Sequence, residues 1–470
     1  MKLIPTCLFI IIFNFFSVKV SAQPAKQSNV VNDNDILSRE LLKELIEINT
    51  TVSIGSTKAA EAMAARLRSA GFPEKDISLV GPLPSHMNLV VRYHGNGKFS
   101  PILFIGHLDV VEALRQDWSL DPFKFTEKEG YFYGRGTTDM KSDDACLIAN
   151  IIRLKKEGFV PDRDIIVALT EDEEGGDANG VQWLLDNRKE LIDAEYCINP
   201  DGGGGDIKNG REVVMTIQTS EKIYLDFSIE AHNKGGHSSV PVRDNAIYEL
   251  AEALTRLSKY DFPVRLNETT RLYFERNAAA ETGQIKADML AVAAVPADTA
   301  AARRLARVSP YYNSLMRTTC VATLLNGGHA QNALPQTARA NINCRLLPDD
   351  NPENVIATLK YVISDPQISV SNASTSTLSP SSLLRKDILE TVDHLASSMW
   401  PGVIVTPSMI TGATDGRFLR KAGTPVYGIS GMFGDMDDFR AHGKDERMGV
   451  KEFYKGVEFM YRLMKALTSG

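Results

Sequence analysis

Cysteine is scarce in this chain: there are five in 470 residues, and no two are spaced C-x-x-C. That excludes a disulfide-dense scaffold and a thiolate zinc site. Blocks of Lys and Arg are missing as well. With a formal net charge of −7, nucleic acid is excluded as the main partner. No G-x-S-x-G stretch ends a strand-like run, so a serine nucleophile on a strand-to-helix elbow has no support. No internal repeat is visible. The remaining composition is that of a globular protein, 24% charged and 43% hydrophobic. Its length suits two domains, or one large domain carrying an insertion.

The start reads differently. "MKLIPTCLFIIIFNFFSVKVSAQP" has Lys2, an uncharged stretch from Leu3 to Val18 that is short for a membrane span and interrupted by Asn14, then Val20-Ser21-Ala22. Small residues there suit a signal peptidase, so residues 1–22 read as a cleaved secretory signal; the alternative is an uncleaved N-terminal anchor. Cleavage after Ala22 removes Lys2 and Lys19 and leaves a mature charge of −9. The protein is then periplasmic or secreted, with no stable membrane insertion. Cys7 leaves with the signal. Cys320 and Cys344 lie symmetrically about Asn332 and would face each other across a hairpin. An exported protein can bridge such a pair, but two buried free thiols are the expectation.

Hydrophobic periodicity divides the rest. Leu37, Leu41, Leu42, Leu45 and Ile46 share one helical face, and Ser56 to Ala70 reads as a second helix. Strand-like runs follow in "HMNLVVRYH", "SPILFIGHLD", "RDIIVALT", "EYCINP" and "TPVYGIS", with helices at Ser142 to Gly158, in "WLLDNRKELI" and at Lys451 to Lys465. Strands alternating with helices imply an α/β fold with a mixed, largely parallel sheet covered by helices on both faces. From about 216 to 375 the order becomes β-α-(insert)-β-β-α-β, an inserted α+β, ferredoxin-like domain. The expected organisation is therefore 1–22 signal, 23–215 first part of the main domain, 216–375 inserted domain, and 376–470 second part. A polar insert at about 265–313 carries no motif and is expected to reshape the lid or the dimer surface.

"IGHLDVV", Ile105 to Val111, puts His107 and Asp109 beyond a strand-like apolar run. Alone this is an ordinary hydrogen-bonded pair. Glu173 and Glu174, Asp201 and His442 also follow strand-like runs, and Asp139 precedes a helix in a turn-rich segment. In an open α/β sheet the carboxyl ends of parallel strands share one edge, where ligands bind. Carboxylates gathered there repel one another unless cations neutralise them. Two histidines and three carboxylates suit two Zn²⁺ ions, with Co²⁺ or Mn²⁺ as substitutes, and Asp139 is the candidate bridge. Asp109 can accept the second ring N–H of His107. Glu173 is left over as a general base.

Read in order, "GHLDVV", "GRGTTDMKSD", "TEDEEGG", "NPDGG", "GGHSS", "NALP" and "HGKDERM" resemble the motifs of the M20 metallopeptidases. That family includes carboxypeptidase G2-like enzymes, aminoacylases, succinyl-diaminopimelate desuccinylase and carnosinase-like dipeptidases. The resemblance covers roughly 37–465. It implies His107, Asp139 and Asp201 on one zinc, Asp139, Glu174 and His442 on the other, and a cis peptide at Asp139–Met140. It implies that His237 polarises the scissile carbonyl of a neighbouring site and that the inserted domain makes a homodimer. Asn332 and Arg345 would bind a substrate carbonyl or carboxylate, though Arg345 also reads as a surface strand residue; Gly412, Thr414 and Asp415 would line the pocket. Asp at 201, where deacylase-like members tend to have Glu, tilts the expected substrate towards short peptides. An N-acyl-amino-acid deacylase is the first alternative, a non-catalytic metal-binding protein the second.

Overall fold

A computed structural model describes residues 32–375 and 377–469; the expected signal, 1–22, lies outside the described residues. The main sheet has six strands in the order Ile77–Leu83, His86–Tyr93, Ile165–Thr170, Ile102–His107, Tyr196–Ile198 and Val426–Tyr427. Only His86–Tyr93 runs against the others. The sheet is thus mixed and largely parallel.

Successive strand residues point to opposite faces, and both faces here are apolar. Ile102, Phe104, Ile165, Val167 and Leu169 join a large core with the helices Asp33–Glu47, Thr57–Ser69, Lys141–Lys156, Lys386–Met399 and Val450–Thr468. Leu103, Ile105, Ile166 and Ala168 join a second core with Gly180–Asn187 and Gly416–Lys421. Burying one such side chain contributes about 1.5–3 kcal/mol, so polar residues on these strands are displaced to their ends. Gly106 has a packing reason as well: a Cβ there would run into Asp144 Oδ1.

A second sheet was not legible in the hydrophobic pattern. It orders Ile404–Ile410, Arg211–Glu221, Gly204–Lys208 and Phe433–Asp435. Its interior is partly polar: Thr219, Ser220, Glu221, Thr406 and Ser408 are all buried, so apolar alternation fails there. The boundary drawn at 216 falls inside Arg211–Glu221, and the chain leaves this sheet only at Lys222. The insert at 265–313 also differs from expectation. Its helices Glu268–Asn277, Gly283–Ala293, Thr299–Val308 and Pro310–Met316 build their own apolar core, which includes Met409. Arg276 Nη1 donates to the Val405 carbonyl at 2.8 Å. The insert therefore supports the edge strand of the second sheet.

The inserted domain is one antiparallel sheet, ordered Thr319–Gly327, Thr337–Leu346, Ile223–His232 and Ile368–Asn372. Ala246–Leu257 and Pro352–Ile363 cover one face. This is the β-α-β-β-α-β order read from the sequence. Cys320 on Thr319–Gly327 pairs with Cys344 on Thr337–Leu346, and the two form a disulfide. The expectation of two free thiols is corrected: directly opposed cross-strand partners bring their Cβ atoms within bonding reach. Cys146 and Cys197 remain free and buried.

Candidate metal centre

Parallel pairing puts His107 opposite Thr170, so the strand Ile102–His107 ends level with the strand that feeds Glu173 and Glu174. Asp201 follows Tyr196–Ile198 in a single 3-10 turn whose Asn199 side chain accepts from the Asp201 N–H. Asp139 lies two residues before Lys141, where the helix Lys141–Lys156 begins, and the Asp139–Met140 peptide is cis. His442 arrives after Phe433–Asp435, a strand of the second sheet. Elements of both sheets thus meet at one rim.

There, His107, Asp139 and Glu174 each offer a ligand atom within 4.8 Å of the others. His107 Nε2 lies 3.0 Å from Asp139 Oδ1. His442 Nε2 lies 3.2 Å from Asp139 Oδ2 and 2.8 Å from Glu174 Oε1. Asp139 therefore faces an imidazole with each oxygen, the arrangement a bridging carboxylate needs. Asp201 is half-buried and lies outside that tight group, but it feels the charges of Asp139 and His107; desolvation first, then the Asp139 charge, push its carboxyl well above the usual range. The donor set fits two divalent cations: imidazole and carboxylate are ordinary zinc ligands, and the crowded charge calls for cations.

Asp109 acts differently from expectation. His107 Nδ1 lies 3.1 Å from the Asp109 carbonyl oxygen and 3.7 Å from its carboxylate. The carboxylate instead accepts the backbone N–H groups of Glu173 and Glu174, at 3.1 and 2.9 Å. One residue thus orients the imidazole with its backbone and the paired glutamates with its side chain. The Glu173 carboxylate meets Arg417, with Arg417 Nη1 donating to Oε1 at 3.3 Å. Burial, then the Asp201 charge, push the Glu173 carboxyl well above its ordinary value of 4.5.

Glu446 and Arg135 were legible as motif letters but not as partners. Glu446 is fully buried. It accepts from Arg135 Nη1 at 2.7 Å and from the backbone N–H groups of Gly136, Thr138 and Asp139 at 3.0, 2.7 and 3.1 Å. Arg135 Nη2 also donates to the His442 carbonyl at 3.3 Å. The pair ties the Asp139 loop to the His442 loop across some three hundred residues. Contacts so remote in sequence leave no periodic signal.

The remaining candidates divide. His237 and Asn332 are exposed neighbours on a two-stranded ribbon, with the Ser238 N–H donating to the Asn332 carbonyl at 3.0 Å. Neither hydrogen-bonds to the metal cluster. Arg345 sits over the Tyr224 ring at 4.7 Å and donates to the Thr411 carbonyl at 3.4 Å. That bond links the inserted domain to the Gly412 loop, where Gly412 is exposed. Thr414 and Asp415 do not line an open pocket. Thr414 binds Glu221 through its N–H and hydroxyl, both at 3.0 Å. Asp415 accepts from Thr170 Oγ1 at 3.0 Å and Asn179 Nδ2 at 2.5 Å. Both are buried because these partners lie inward, so they brace the rim.

Comparison with known proteins agrees with this geometry. Residues 103–466 match the model of Peptidase family M20/M25/M40. The chain is 29% identical over 419 residues to a probable carboxypeptidase S-like 2 of Dictyostelium discoideum, covering 84% of this chain and 77% of that protein. It is 25% identical over 456 residues to the human N-fatty-acyl-amino acid synthase/hydrolase PM20D1, covering 93% and 89%. Among solved structures, an M20 family metallo-carboxypeptidase from Sulfolobus solfataricus superimposes with a TM-score of 0.66 at 18% identity, covering 91% of this chain and 98% of that one.

Proposed function

Because the chain belongs to peptidase family M20/M25/M40 and is a hydrolase of amide bonds, we propose that it is a zinc-dependent exopeptidase acting on short peptides. The observation that carries this is Glu173: a largely enclosed carboxylate that feels the His107 and Asp201 charges, its backbone held by Asp109, and outside the ligand contacts. A protein that only stored metal has no use for it. Bound cations would polarise the scissile carbonyl and make an attacking water acidic. Glu173 takes the proton from that water and passes it to the leaving amine. His237, carried on its ribbon, supplies an oxyanion donor worth about 3–4 kcal/mol when well placed.

A second reading, N-acyl-amino-acid hydrolysis, is favoured by the PM20D1 relatives. The two substrate classes share a free carboxylate, and the half-buried Arg345 offers a planar fork to it. Release of amino acids from a dipeptide panel and from N-acyl amino acids of several chain lengths, with and without chelator, separates them. Cleavage of neither by zinc-loaded protein would remove both.

The protein is read as exported. Support comes from residues 1–22 and from the Cys320–Cys344 bridge, a bond that persists in oxidising compartments. Among the described residues no helix is long and apolar enough to cross a membrane. It is read as a homodimer because the edge strand Thr319–Gly327 exposes Val321, Leu324 and Leu325.

A further inference from the structure

A second group of metal-capable side chains joins the acidic loop to the start of the strand His86–Tyr93, outside the dinuclear cluster. The ligand atoms of His86, Glu171 and Asp172 all fall within 4.8 Å of one another. Glu171 and Asp172 are buried, at 0% and 5% exposure. Both Glu171 oxygens and Asp172 Oδ1 are enclosed without a hydrogen-bond partner. A buried carboxylate without partners is costly unless a cation meets it.

We propose that His86, Glu171 and Asp172 bind a third divalent cation, of the class that accepts imidazole with carboxylate, such as Zn²⁺. In the metal-free chain Nε2 donates its proton to the Val52 carbonyl. Ser85 Oγ, 2.8 Å from Nδ1, can accept from a proton placed there instead, so a cation can take the Nε2 lone pair once the ring proton sits on Nδ1. Nε2 lies 3.7 Å from Asp172 Oδ1 and 3.3 Å from the Val52 carbonyl, which brings a fourth donor atom. Two carboxylates match the charge of one divalent ion. The side chain of His86, 14% exposed, gives the ion a way in. The cation clamps the start of the Glu171–Glu174 loop to the strand His86–Tyr93, immediately before the residues that hold the dinuclear pair. It is a positioning site and touches no substrate.

The test is zinc per chain, measured by mass spectrometry on full-length protein saturated with Zn²⁺ and desalted. Three equivalents are expected in the parent and two in Glu171→Gln and His86→Gln. Equal zinc in the parent and both variants overturns the proposal. Zinc-loaded parent crystals give an answer that does not depend on variant folding: an anomalous peak between His86 Nε2 and the Glu171 carboxylate supports the site, and its absence overturns it. Glu174→Gln distinguishes the two centres. If Glu174→Gln keeps the parent's zinc while Glu171→Gln loses one equivalent, the dinuclear reading fails and the third site stands.

Discussion

Glu173 and His442 show how position sets chemistry at the scale of single residues. Glu173 hydrogen-bonds to Arg417 and not to the ligand histidines, so its removal should spare metal binding. Glu173→Gln is expected to lower kcat by about 10²–10⁴-fold, the range for a general base, with zinc content unchanged. Parent-level turnover in this variant would sink the assignment. In the metal-free chain the hydrogen bond to Asp139, then the Glu174 charge working against partial burial, raise His442 from 6.5 to about 9. Ligation needs the neutral ring. Apparent affinity for the cation is therefore expected to rise from pH 6.5 towards 9, with protons released on binding; calorimetry in two buffers reads both. The raised value also stabilises the metal-free fold fully below pH 6.5, and that contribution is lost as pH climbs through about 9.

Loops, more than strands, assemble the centre at the scale of elements. The Arg135–Glu446 pair is almost fully enclosed, at 3% and 0% side-chain exposure, so neither partner has water to fall back on. Glu446→Gln keeps the shape but leaves the guanidinium uncompensated. A loss of about 3–5 kcal/mol is expected, the range for breaking a buried pair. Thermal melts of zinc-free protein measure it; a melting temperature equal to the parent's would show that the pair does not hold the loops. Zinc affinity should fall with it, since the same carboxylate fixes the backbone of Thr138 and Asp139.

The exposed edge of the inserted sheet raises the question of assembly for the whole molecule. Leu324 and Leu325 are 70% and 71% exposed on the strand Thr319–Gly327, a row of unpaired backbone groups beside apolar side chains. A second copy would cover both. The double substitution Leu324→Glu and Leu325→Glu should leave the monomer folded and halve the mass seen by light scattering. A parent already monomeric at micromolar concentration would refute the dimer. Because His237 and Asn332 hydrogen-bond to nothing in the metal cluster of their own chain, activity should fall with the dimer.

The sequence by itself determined the α/β class, the inserted β-α-β-β-α-β unit and the residues collected at the rim. Those depend on local quantities: unbroken apolar runs for the main sheet, alternation for the inserted one, turn letters after them, and the rule that parallel strands end together. Tertiary structure alone decided that Asp109 serves Glu173 and Glu174, that Thr414 and Asp415 face inward, that Glu446 joins two loops, and that Cys320 bonds to Cys344. It also decided where the insert packs. Each of these depends on a partner far away in the chain, chosen by packing and hydrogen-bond satisfaction in three dimensions. A linear pattern records which side chains are present but not which of their atoms are left to be satisfied.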